Sequence, residues 1–335
     1  MIRIALDAMG GDNAPLEIVE GGLQALTEQD GLKLLLVGNR EILEKQLAGK
    51  KYNSERLEIV HAPEVITDDD SPVLAVRRKR NSSMIIALQL VTEKKADVAV
   101  SAGNTGALMA GSLLTCGRLP GIERPALTII VPTFDGGGVV LLDAGANMDA
   151  KPEHLLQYGL MGRIYAREIL GKSAPRVALL NVGREEKKGN EQVKKAYQLC
   201  KEKLSGFAGN IEARDIMAGE ADVVICDGFA GNIVLKTIEG VALGLFAALR
   251  EEFTAGLRNK MGAVLLMPGL RKIRRKLDYA EYGGAPLLGV GEACIKCHGS
   301  SKAKAIRNAI ITQAFPFAER NVNGIIEKEI AELSL

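Results

Sequence analysis

The sequence IRIALDAMGGDNAP, residues 2–15, begins with an apolar run and then turns abruptly polar. Residues 2–6 have the Ile and Leu content of a buried β-strand. The loop that follows contains two aspartates and the pair Gly10 and Gly11, and Pro15 starts the next element. Glycines let backbone N–H groups approach an anion closely, so this junction between strand and loop is a candidate anion-binding turn.

Short apolar runs of the same kind recur along the chain and alternate with helix-length segments. The strand-like runs are rich in Val, Ile and Leu and cover 2–6, 32–37, 57–61, 97–101, 126–131, 139–143, 176–182 and 222–227. The segments of helix length include 15–30, 82–94, 104–116, 152–170, 189–204 and 231–253. Continuous apolar strands are typical of parallel sheets covered on both faces. The sequence therefore predicts an α/β fold with a doubly wound, mostly parallel sheet and helices on both faces, built as one unit over 1–335.

Five of the predicted strands run into a small polar loop rich in Gly, Asn or Asp. In a doubly wound sheet such loops converge beyond the carboxyl ends of the strands, where ligands bind. Backbone N–H groups of the loops and the helix amino termini that follow favour an anion there. The loops are 7–13, 101–106, 143–147, 181–189 and 227–232. Each loop alone is ordinary turn chemistry, but together they predict a shared anion site.

The composition and the known short motifs exclude several classes of function. The 335 residues include 43 basic and 41 acidic side chains and no Trp, with a net charge of +2, which gives no support to a nucleic-acid partner. The chain has no G-x-G-x-x-G after its first strand, no Walker-type phosphate loop and no G-x-S-x-G elbow. Its three histidines are too far apart in sequence to indicate a zinc site, and we expect neither a metal nor a cofactor.

The amino terminus and the cysteines predict a cytoplasmic protein. MIRIALDA is already a strand, without a basic leader or a cleavage site, and we expect no apolar stretch of the length of about 20 residues that a membrane-spanning helix needs. Five cysteines are an odd number scattered through the chain, which favours reduced thiols over a disulfide framework.

Two further motifs have an ordinary interpretation beside a functional one. The run CIKCH, 294–298, matches a haem-attachment pattern, but two reduced thiols near a functional histidine are the favoured interpretation. The run TDDDSP, 67–72, is an acid cluster of the kind that binds magnesium. Ser71 as N-cap and Pro72 at the first helical position favour the start of a helix instead.

Taken in order along the chain, the loops resemble one family, the PlsX-type phosphate acyltransferases of bacterial phospholipid synthesis. The matching pieces cover essentially the whole chain: DAMGGDNAP (7–15), SAGNTGALMA (101–110), DAGAN (143–147), KPEHLLQ (151–157), NVGREEKKG (181–189), DGFAGNIVLK (227–236), YGGAPLLGV (282–290) and CHGSSKAKAIRNAI (297–310). Each piece alone is weakly specific, whereas the combination is highly specific.

The resemblance implies a reaction, a fold and partners. That family converts acyl-acyl carrier protein and inorganic phosphate into acyl phosphate and free carrier protein, with acyl-CoA as a substitute donor. A fold like that of the isocitrate and isopropylmalate dehydrogenases and of phosphate acetyltransferase is implied, as is a homodimer. The product would pass to a membrane-bound acyltransferase that acylates glycerol 3-phosphate. The protein would thus work in the cytoplasm, or peripherally on the inner face of the cell membrane.

The implied reaction explains why the sequence contains no catalytic triad. A phosphate monoanion loses its next proton near neutral pH, as phosphoryl groups with a second pKa of about 6 do, so the nucleophile is already charged and needs little help from a general base. A leaving thiolate, whose thiol has a pKa of about 8.5, departs without obligatory protonation. The protein has only to hold the phosphate against the thioester carbonyl and stabilise the developing oxyanion, which amides, Asn side chains and one or two cations can do.

Amides and side chains of the loops are the candidate substrate-binding groups. They are Asp7, Gly10, Gly11, Asn13, Ser101, Gly103, Thr105, Asp143, Asn147, Asn181, Gly183 and Lys236. Like charges repel, so Asp7, Asp143 and Asp227 are expected to orient the loops, or to accept from protonated phosphate, rather than face a bare dianion. A carboxylate that only caps its loop is an equal alternative for each of them.

Five residues are the catalytic candidates: Lys188, His298, Asn104, Asp227 and Asn232. Lys188 is the first choice for the cation that holds phosphate. Lys236 is the second choice, and for it a solvated helix lysine is the favoured alternative. His298 is the candidate donor to the oxyanion or to the departing sulfur.

A basic cluster, Arg77, Arg78, Lys79 and Arg80, continues the helix that is predicted to begin at Pro72. Acyl carrier protein is strongly acidic, so this cluster is a candidate for steering it, with an association rate that falls as salt rises. A solvated helix face is an equal alternative.

A second basic feature is the segment 256–277, within a protruding amphipathic helical segment predicted over 253–278. It has seven Lys or Arg residues, no Asp or Glu, and many apolar residues, among them Leu277. This mixture suits an interfacial helix on anionic lipid. A helical pair that forms a dimer is the alternative, and the two interpretations are compatible.

Other functions remain open at this level. One is a short-chain phosphate acyltransferase that acts on acyl-CoA. Another is a non-catalytic scaffold that binds phosphate or acyl groups and recruits enzymes of lipid synthesis. A dehydrogenase is less favoured, because fold analogy alone supports it.

Overall fold

The strands form two sheets in a computed structural model that describes residues 1–276 and 282–333. Numbered β1 to β12 in chain order, they are Ile2–Asp7, Leu32–Gly38, Leu57–His61, Val98–Ser101, Ala126–Leu127, Ile129–Pro132, Gly138–Leu142, Val177–Asn181, Phe207–Glu212, Val223–Ile225, Ala285–Leu288 and Cys294–Lys296. The α-helices, α1 to α12, are Leu16–Glu28, Arg40–Leu47, Pro72–Arg78, Ser83–Thr92, Thr105–Thr115, Pro152–Glu168, Glu191–Lys203, Gly228–Thr254, Leu257–Lys276, Ala303–Asn308, Phe315–Glu319 and Val322–Glu332.

Both sheets are mostly parallel. The larger one has the strand order β3-β2-β1-β4-β12-β11-β5, and only β11 runs against its neighbours. The smaller one has the order β6-β7-β10-β8-β9, with β6 antiparallel to β7. Parallel neighbours need crossover connections, and the helices between the strands supply them. The predicted fold class, a doubly wound α/β fold with a mostly parallel sheet, is confirmed, with the strands divided between two sheets.

One continuous apolar core joins the sheets. It includes Leu6 of the large sheet and Leu142 of the small sheet, both fully buried. Helix α6 lies inside this core, and its Tyr158 and Tyr165 are among the largest fully buried side chains. Because strands buried on both faces need apolar residues at every position, their sequences read as continuous runs.

The chain passes from the large sheet to the small sheet directly between β5 and β6. Strand β5 leaves the large sheet at Leu127 and continues, after Thr128, as β6 of the small sheet. The N–H of Leu127 donates to Asp143 Oδ1 at 3.1 Å, and the N–H of Ala144 donates to the carbonyl oxygen of Leu127 at 2.9 Å. This crossing therefore lies beside Asp143 and Ala144, where the turn after β7 begins.

Several element boundaries differ from the prediction. The run 126–131 was predicted as one strand, but it changes sheets at Thr128 and forms two. The predicted helix through 77–80 ends at Arg78, and Lys79 is its C-cap. Strands β9, β11 and β12 were not predicted at all. Strands β11 and β12 have only four and three residues, too few for a periodicity, and β9 is interrupted by Gly209 and Asn210.

Helices α8 and α9 form an exposed pair. Of α8, Gly228 and Gly231 are the buried residues, both at its first turn. At the far end of α9, Lys276 Nζ donates to the carbonyl oxygen of Asp135, in the turn between β6 and β7, at 3.1 Å. The predicted protruding segment 253–278 covers the end of α8 and all of α9, while its residues 277 and 278, including Leu277, lie outside the described residues.

The expectation that no stretch has the length and apolar composition of a membrane-spanning helix is wrong. Helix α8 is long and apolar enough to do so, and none of its most apolar 18-residue window is buried. Residues such as Val241 and Leu243 are more than half exposed. Length and composition do not distinguish a spanning helix from one that packs against another molecule. The prediction of one α/β unit over 1–335 stays a prediction.

Candidate active site

At the carboxyl edge of the large sheet, a buried carboxylate orders the first predicted loops. Asp7 ends β1 and pairs in register with Ser101, which ends β4. Asp7 Oδ2 accepts from Ser101 Oγ at 2.6 Å, and Ser101 Oγ in turn accepts from the N–H of Gly103 at 3.1 Å. Burial raises the pKa of Asp7, and the hydrogen bond from Ser101 opposes that shift. The carboxylate therefore holds the two turns together.

Gly10 and Gly11 are required by the close approach of these turns. A Cβ on Gly10 would lie 2.5 Å from Asp7 Oδ2 and 2.9 Å from the nitrogen of Gly103. Gly11 has a φ of 105°, a conformation that side chains with a Cβ rarely adopt. The turn 8–13 thus exposes backbone close to its neighbour, as an anion-binding turn must.

The same turn is tied to the loop that follows β12. Asn13 Nδ2 donates to the carbonyl oxygens of Ser300 and Ser301 at 3.1 and 3.3 Å. In that loop the N–H of Ser300 donates to His298 Nδ1 at 3.2 Å. Ser300 Oγ also lies 2.8 Å from His298 Nδ1. The exposed imidazole of His298 is thus held by Ser300, next to the turn that contains Asn13.

Asn104 and Thr105 lie at the amino terminus of α5. Asn104 Oδ1 accepts from the N–H of Ala107 at 2.9 Å, so this side chain caps the helix, and Thr105 is exposed at its first position. A Cβ on Gly106 would lie 2.9 Å from Pro72. The amino termini of α3 and α5 are therefore neighbours, and together they favour a negative charge.

The acidic run 67–72 is part of this neighbourhood as the start of α3. Pro72 is the first helical residue as predicted, while Ser71 occupies the N-cap position without a side-chain cap bond. Asp70 accepts from the N–H of Thr67 at 2.8 Å and pairs with Lys79 at 2.5 Å. In the described part of the chain, no three His, Cys, Asp or Glu side chains are grouped as a metal site.

At the carboxyl edge of the small sheet, Asp143 orders the turn that follows it, as Asp7 does in the large sheet. It is fully buried and accepts five hydrogen bonds from Leu127, Gly145, Ala146 and Asn147 at 2.6 to 3.1 Å. Burial raises the pKa of Asp143, and these hydrogen bonds oppose the shift. Asn147 Nδ2 also donates to the carbonyl oxygen of Pro125 at 2.7 Å, which fixes this turn against the crossing between the sheets.

Asp227 and Asn232 flank the start of α8 beside this turn. Asp227 is the N-cap, and its carboxylate accepts from the N–H of Ala230 at 2.7 Å. The N–H of Gly228 donates to the carbonyl oxygen of Asn147 at 2.8 Å. The half-buried Asn232 faces Gly145, where an added Cβ would lie 3.6 Å from Asn232 Cβ. A helix amino terminus thus points into the second turn as well.

The loop 181–189 is held by its own side chains. Asn181 Oδ1 accepts from the N–H of Val182 at 2.8 Å, and Asn181 Nδ2 donates to the carbonyl oxygen of Lys188 at 3.1 Å. A Cβ on Gly183 would lie 3.2 Å from Lys188 Cγ. The Lys188 side chain is exposed. Lys236, the second candidate cation, is exposed on α8 and pairs with Glu239 at 2.9 Å, as expected of a surface helix lysine.

The hydrogen bonds therefore join the candidate residues of the large sheet around Asp7 and Ser101, and those of the small sheet around Asp143, Asn147 and the start of α8. The loop 181–189 and Lys236 make their contacts apart from both groups. Two cavities of about 630 Å³ lie elsewhere. The first is between α6 and α12. The second is at the amino ends of β1, β4 and β12, opposite the turns.

One buried cation at the carboxyl edge of the large sheet was missed by the sequence analysis. Lys296 ends β12 in register with Ser101 and is only 7% exposed. Its neighbours Cys294 and Cys297, of the haem-like string, are buried free thiols whose pKa burial raises to about 12. A lysine in a buried three-residue strand was the available signal, because lysine is rarely buried without a function or a partner.

Comparison with known proteins identifies the family. A family model described as fatty acid synthesis protein matches residues 2–324. A phosphate acyltransferase of Alkaliphilus oremlandii is 51% identical over 332 residues, which cover 99% of this chain and 98% of that protein. The phosphate acyltransferase of Bacillus subtilis is 48% identical over 332 residues, with the same coverage of the two chains.

Solved structures with the same fold are more distant in sequence. A phosphotransacetylase from Streptococcus pyogenes matches with a TM-score of 0.63 and 17% identity over 94% of both chains. A branched-chain phosphotransacylase from Enterococcus faecalis matches with a TM-score of 0.57 and 15% identity, over 96% of this chain and 99% of the other. These likenesses show the fold, whereas the relatives in sequence show the family. The chain belongs to the PlsX-type phosphate acyltransferase family and is an acyltransferase.

Proposed function

We propose that the protein transfers a long-chain acyl group from acyl-acyl carrier protein to inorganic phosphate, giving acyl phosphate for phospholipid synthesis. The observation that carries this proposal is the pair of carboxylate-ordered turns, one at the carboxyl edge of each sheet. The carboxylates of Asp7 and Asp143 accept hydrogen bonds from these turns and so fix the position of their backbone. Helices α5 and α8 begin at the same turns. Such an arrangement suits a dianion that needs fixed N–H donors and no general base.

The reaction then needs position and charge stabilisation from the protein. Phosphate, held by amides of the turns, attacks the thioester carbonyl carbon with one of its own oxygens. The carbonyl oxygen gains negative charge, which the amides and the imidazole of His298 stabilise by hydrogen bonds. The carbon–sulfur bond breaks, and the sulfur leaves as the thiolate of the carrier's prosthetic group.

The basic cluster 77–80 supports a carrier-protein donor. Arg77, Arg78 and Arg80 are exposed, at the end of α3 opposite its start beside the α5 amino terminus. Helix α3 has seven residues, so the cluster is about 10 Å along the helix from the turns of the large sheet. Lys79 differs from the prediction, since its ammonium is engaged by Asp70 and by the carbonyl oxygen of Val65 at 3.0 Å. The three arginines therefore supply the charge that would steer an acidic carrier.

The exposed α8–α9 pair supports the remaining parts of the proposal. We propose that the protein is a homodimer in the cytoplasm that associates peripherally with the inner face of the cell membrane. There it would deliver acyl phosphate to a membrane-bound glycerol-3-phosphate acyltransferase. Basic residues and more than half-exposed apolar residues such as Leu265 and Val264 lie together on α9, a combination that suits anionic lipid.

A single assay tests the reaction. Purified protein is mixed with long-chain acyl-acyl carrier protein and phosphate, and carrier thiol and acyl phosphate are measured together. We expect phosphate-dependent release of one thiol for each acyl phosphate formed, at a rate that falls with added salt. Faster turnover of short-chain acyl-CoA would favour the short-chain enzyme. Binding of phosphate or acyl groups without turnover of any donor would favour the scaffold and contradict the proposal.

A further inference from the structure

Lys296 is the most deeply buried lysine near the turns, and its position is set by strand register. It lies in the same row as Ser101 of β4, which in turn lies beside Asp7 of β1. Residues in one row of a parallel sheet point to the same face, and neighbouring strands are about 4.8 Å apart. The last row of the large sheet therefore presents a carboxylate, a hydroxyl and an ammonium side by side.

The hydrogen bonds of Lys296 are all to neutral oxygens. Its Nζ donates to the carbonyl oxygen of Cys297 and lies 3.5 Å from that of Ala102. Over the described residues, no carboxylate is within ion-pair distance of this ammonium. Asp7 and Asp68 act on it only at longer range, and Asp7 already accepts from Ser101. Nζ is thus held where the turn after β4 meets the turn after β12.

A buried ammonium without an ion-pair partner is costly. Removing an ammonium from water is unfavourable unless an opposite charge or a metal compensates. Burial accordingly lowers the pKa of Lys296, and the carboxylates of Asp68 and Asp7 oppose that shift from longer range. An anion at the adjoining turns would compensate the buried charge, because an ammonium has three donors and two are directed at carbonyl oxygens.

We propose that Lys296 is the cation that binds the phosphate substrate, at the junction of the turns 102–104 and 297–299. This proposal rests on the proposed function and deepens it. The amides and the α5 amino terminus at the same junction supply the other favourable interactions with the anion. Lys188, whose side chain is exposed, is then not the principal phosphate ligand, since a charge in water holds an anion more weakly.

Two variants of Lys296 test this directly. Lys296→Met removes the charge at similar volume, and Lys296→Gln also retains a donor for the carbonyl oxygens. We expect both to raise the KM for phosphate on the order of 30-fold or more, as for loss of one member of a buried charge pair. The KM for the acyl donor should stay within about twofold. Inorganic phosphate alone should raise the melting temperature of the unmodified protein but not of these variants.

Control variants separate the alternatives. Lys45→Met, at an exposed position on α2, should change neither constant. Lys188→Met is measured beside them, and an unchanged phosphate KM would remove Lys188 from the site. If the Lys296 variants melt earlier but keep the phosphate KM of the unmodified protein, Lys296 only holds the turns and the proposal is wrong. If no donor is turned over, but phosphate still protects in a Lys296-dependent way, the proposed function fails and the phosphate site stands.

The unmodified protein gives a readout even if both variants fail to fold. Phosphate is fully dianionic above about pH 8, so a rise of its KM between pH 8 and 10 reports loss of a protein cation. The titratable groups that face Lys296 are Asp7, Asp68, Cys294 and Cys297, and the two thiols have a pKa raised to about 12. Because burial lowers the pKa of Lys296 below its ordinary value of 10.5, we expect the rise before that pH is reached, and a phosphate KM that stays constant up to that pH would overturn the proposal.

Discussion

Asp7 and Asp143 occupy equivalent places at the carboxyl edges of the two sheets. Each is buried at the end of a parallel strand, and each accepts hydrogen bonds from the turn that follows. Burial raises the pKa of both carboxyls. For such an acid, the folded state favours the protonated form, so its contribution to stability falls as pH rises from about 3.9, the unfolded value, through the folded pKa. The two ionised carboxylates therefore reduce the stability of the folded state, while their hydrogen bonds keep backbone amides in fixed positions.

Replacing Asp143 by Asn tests that function of the carboxylate. Asn can keep one carbonyl oxygen for Leu127, Gly145 and Ala146, but it places an NH₂ group against the two donors of Asn147. We expect the variant to lose about 1–3 kcal/mol of stability, the usual cost of unsatisfied buried donors. Thermal unfolding measures the loss. Asp149→Asn, an exposed position in the same loop, should leave the melting temperature unchanged. Equal stability of Asp143→Asn and the unmodified protein would show that the carboxylate is dispensable for the turn.

At this scale, the sequence indicated loops rich in amides and polar side chains, but not which of their atoms are already engaged in hydrogen bonds within the protein. Asn104 and Asp227 were predicted as catalytic, and both side chains cap helices. Asn181 was predicted to bind substrate, and its amide bonds its own loop. These hydrogen bonds depend on which groups folding brings within about 3 Å of one another. The spacing of residues along the chain does not contain that information. Their roles in catalysis stay predictions.

At the scale of elements, periodicity predicted the long pieces of the fold and missed the short ones. Strands β1, β2 and β3 lie within one or two residues of their predicted ends, because each is an apolar run bounded by polar residues. Strand β12 was missed, although it lies between β4 and β11 and places Lys296. Its three residues pair with a strand almost 200 positions earlier, and a pairing over that distance leaves no local pattern.

Helix α9 has the composition expected of an element that binds a membrane surface. Leu265 is 83% exposed and Val264 is 71% exposed, and the helix also carries exposed basic residues such as Arg271 and Lys272. We expect the protein to bind vesicles that contain anionic lipid at low salt and to be released as salt rises. Leu265→Glu should weaken this binding, because a charged side chain replaces one that would enter the lipid.

Vesicle sedimentation measures the effect, and a second variant controls for a general change in charge. Leu114→Glu alters an exposed leucine on α5, away from this helix, and should leave binding unchanged. Equal losses in the two variants would assign the effect to net charge. Failure of the unmodified protein to bind anionic vesicles at low salt would end the membrane proposal.

At the scale of the whole molecule, one apolar core joins the two sheets, and the chain passes from the large sheet to the small one where β5 becomes β6. The order of the strands along the chain predicted a doubly wound sheet, and that class is correct. The order of the strands could not predict the division into two sheets. The chain leaves one sheet and enters the other at Thr128, in the middle of the run 126–131, which reads as a single strand. The first part of this run, β5, pairs with β11 of the large sheet, and the second part, β6, pairs with β7 of the small sheet. Both partner strands lie later in the chain, so the run itself does not show where it divides.

The exposed face of α8 predicts that the molecule works as a pair of chains. Val241 and Leu245 lie one turn apart on the same side of a helix of 27 residues, about 40 Å long, and each is more than half exposed. Burying one such side chain contributes about 1.5–3 kcal/mol, so two copies of this helix packed together through that side could support a stable interface. We expect sedimentation equilibrium to give twice the mass of one chain at micromolar concentration. Leu245→Glu should shift the protein to the monomer, whereas Leu265→Glu, on α9, should leave the dimer intact and affect only vesicle binding. A monomeric unmodified protein, or a dimer unaffected by Leu245→Glu, would contradict an interface on this side of α8.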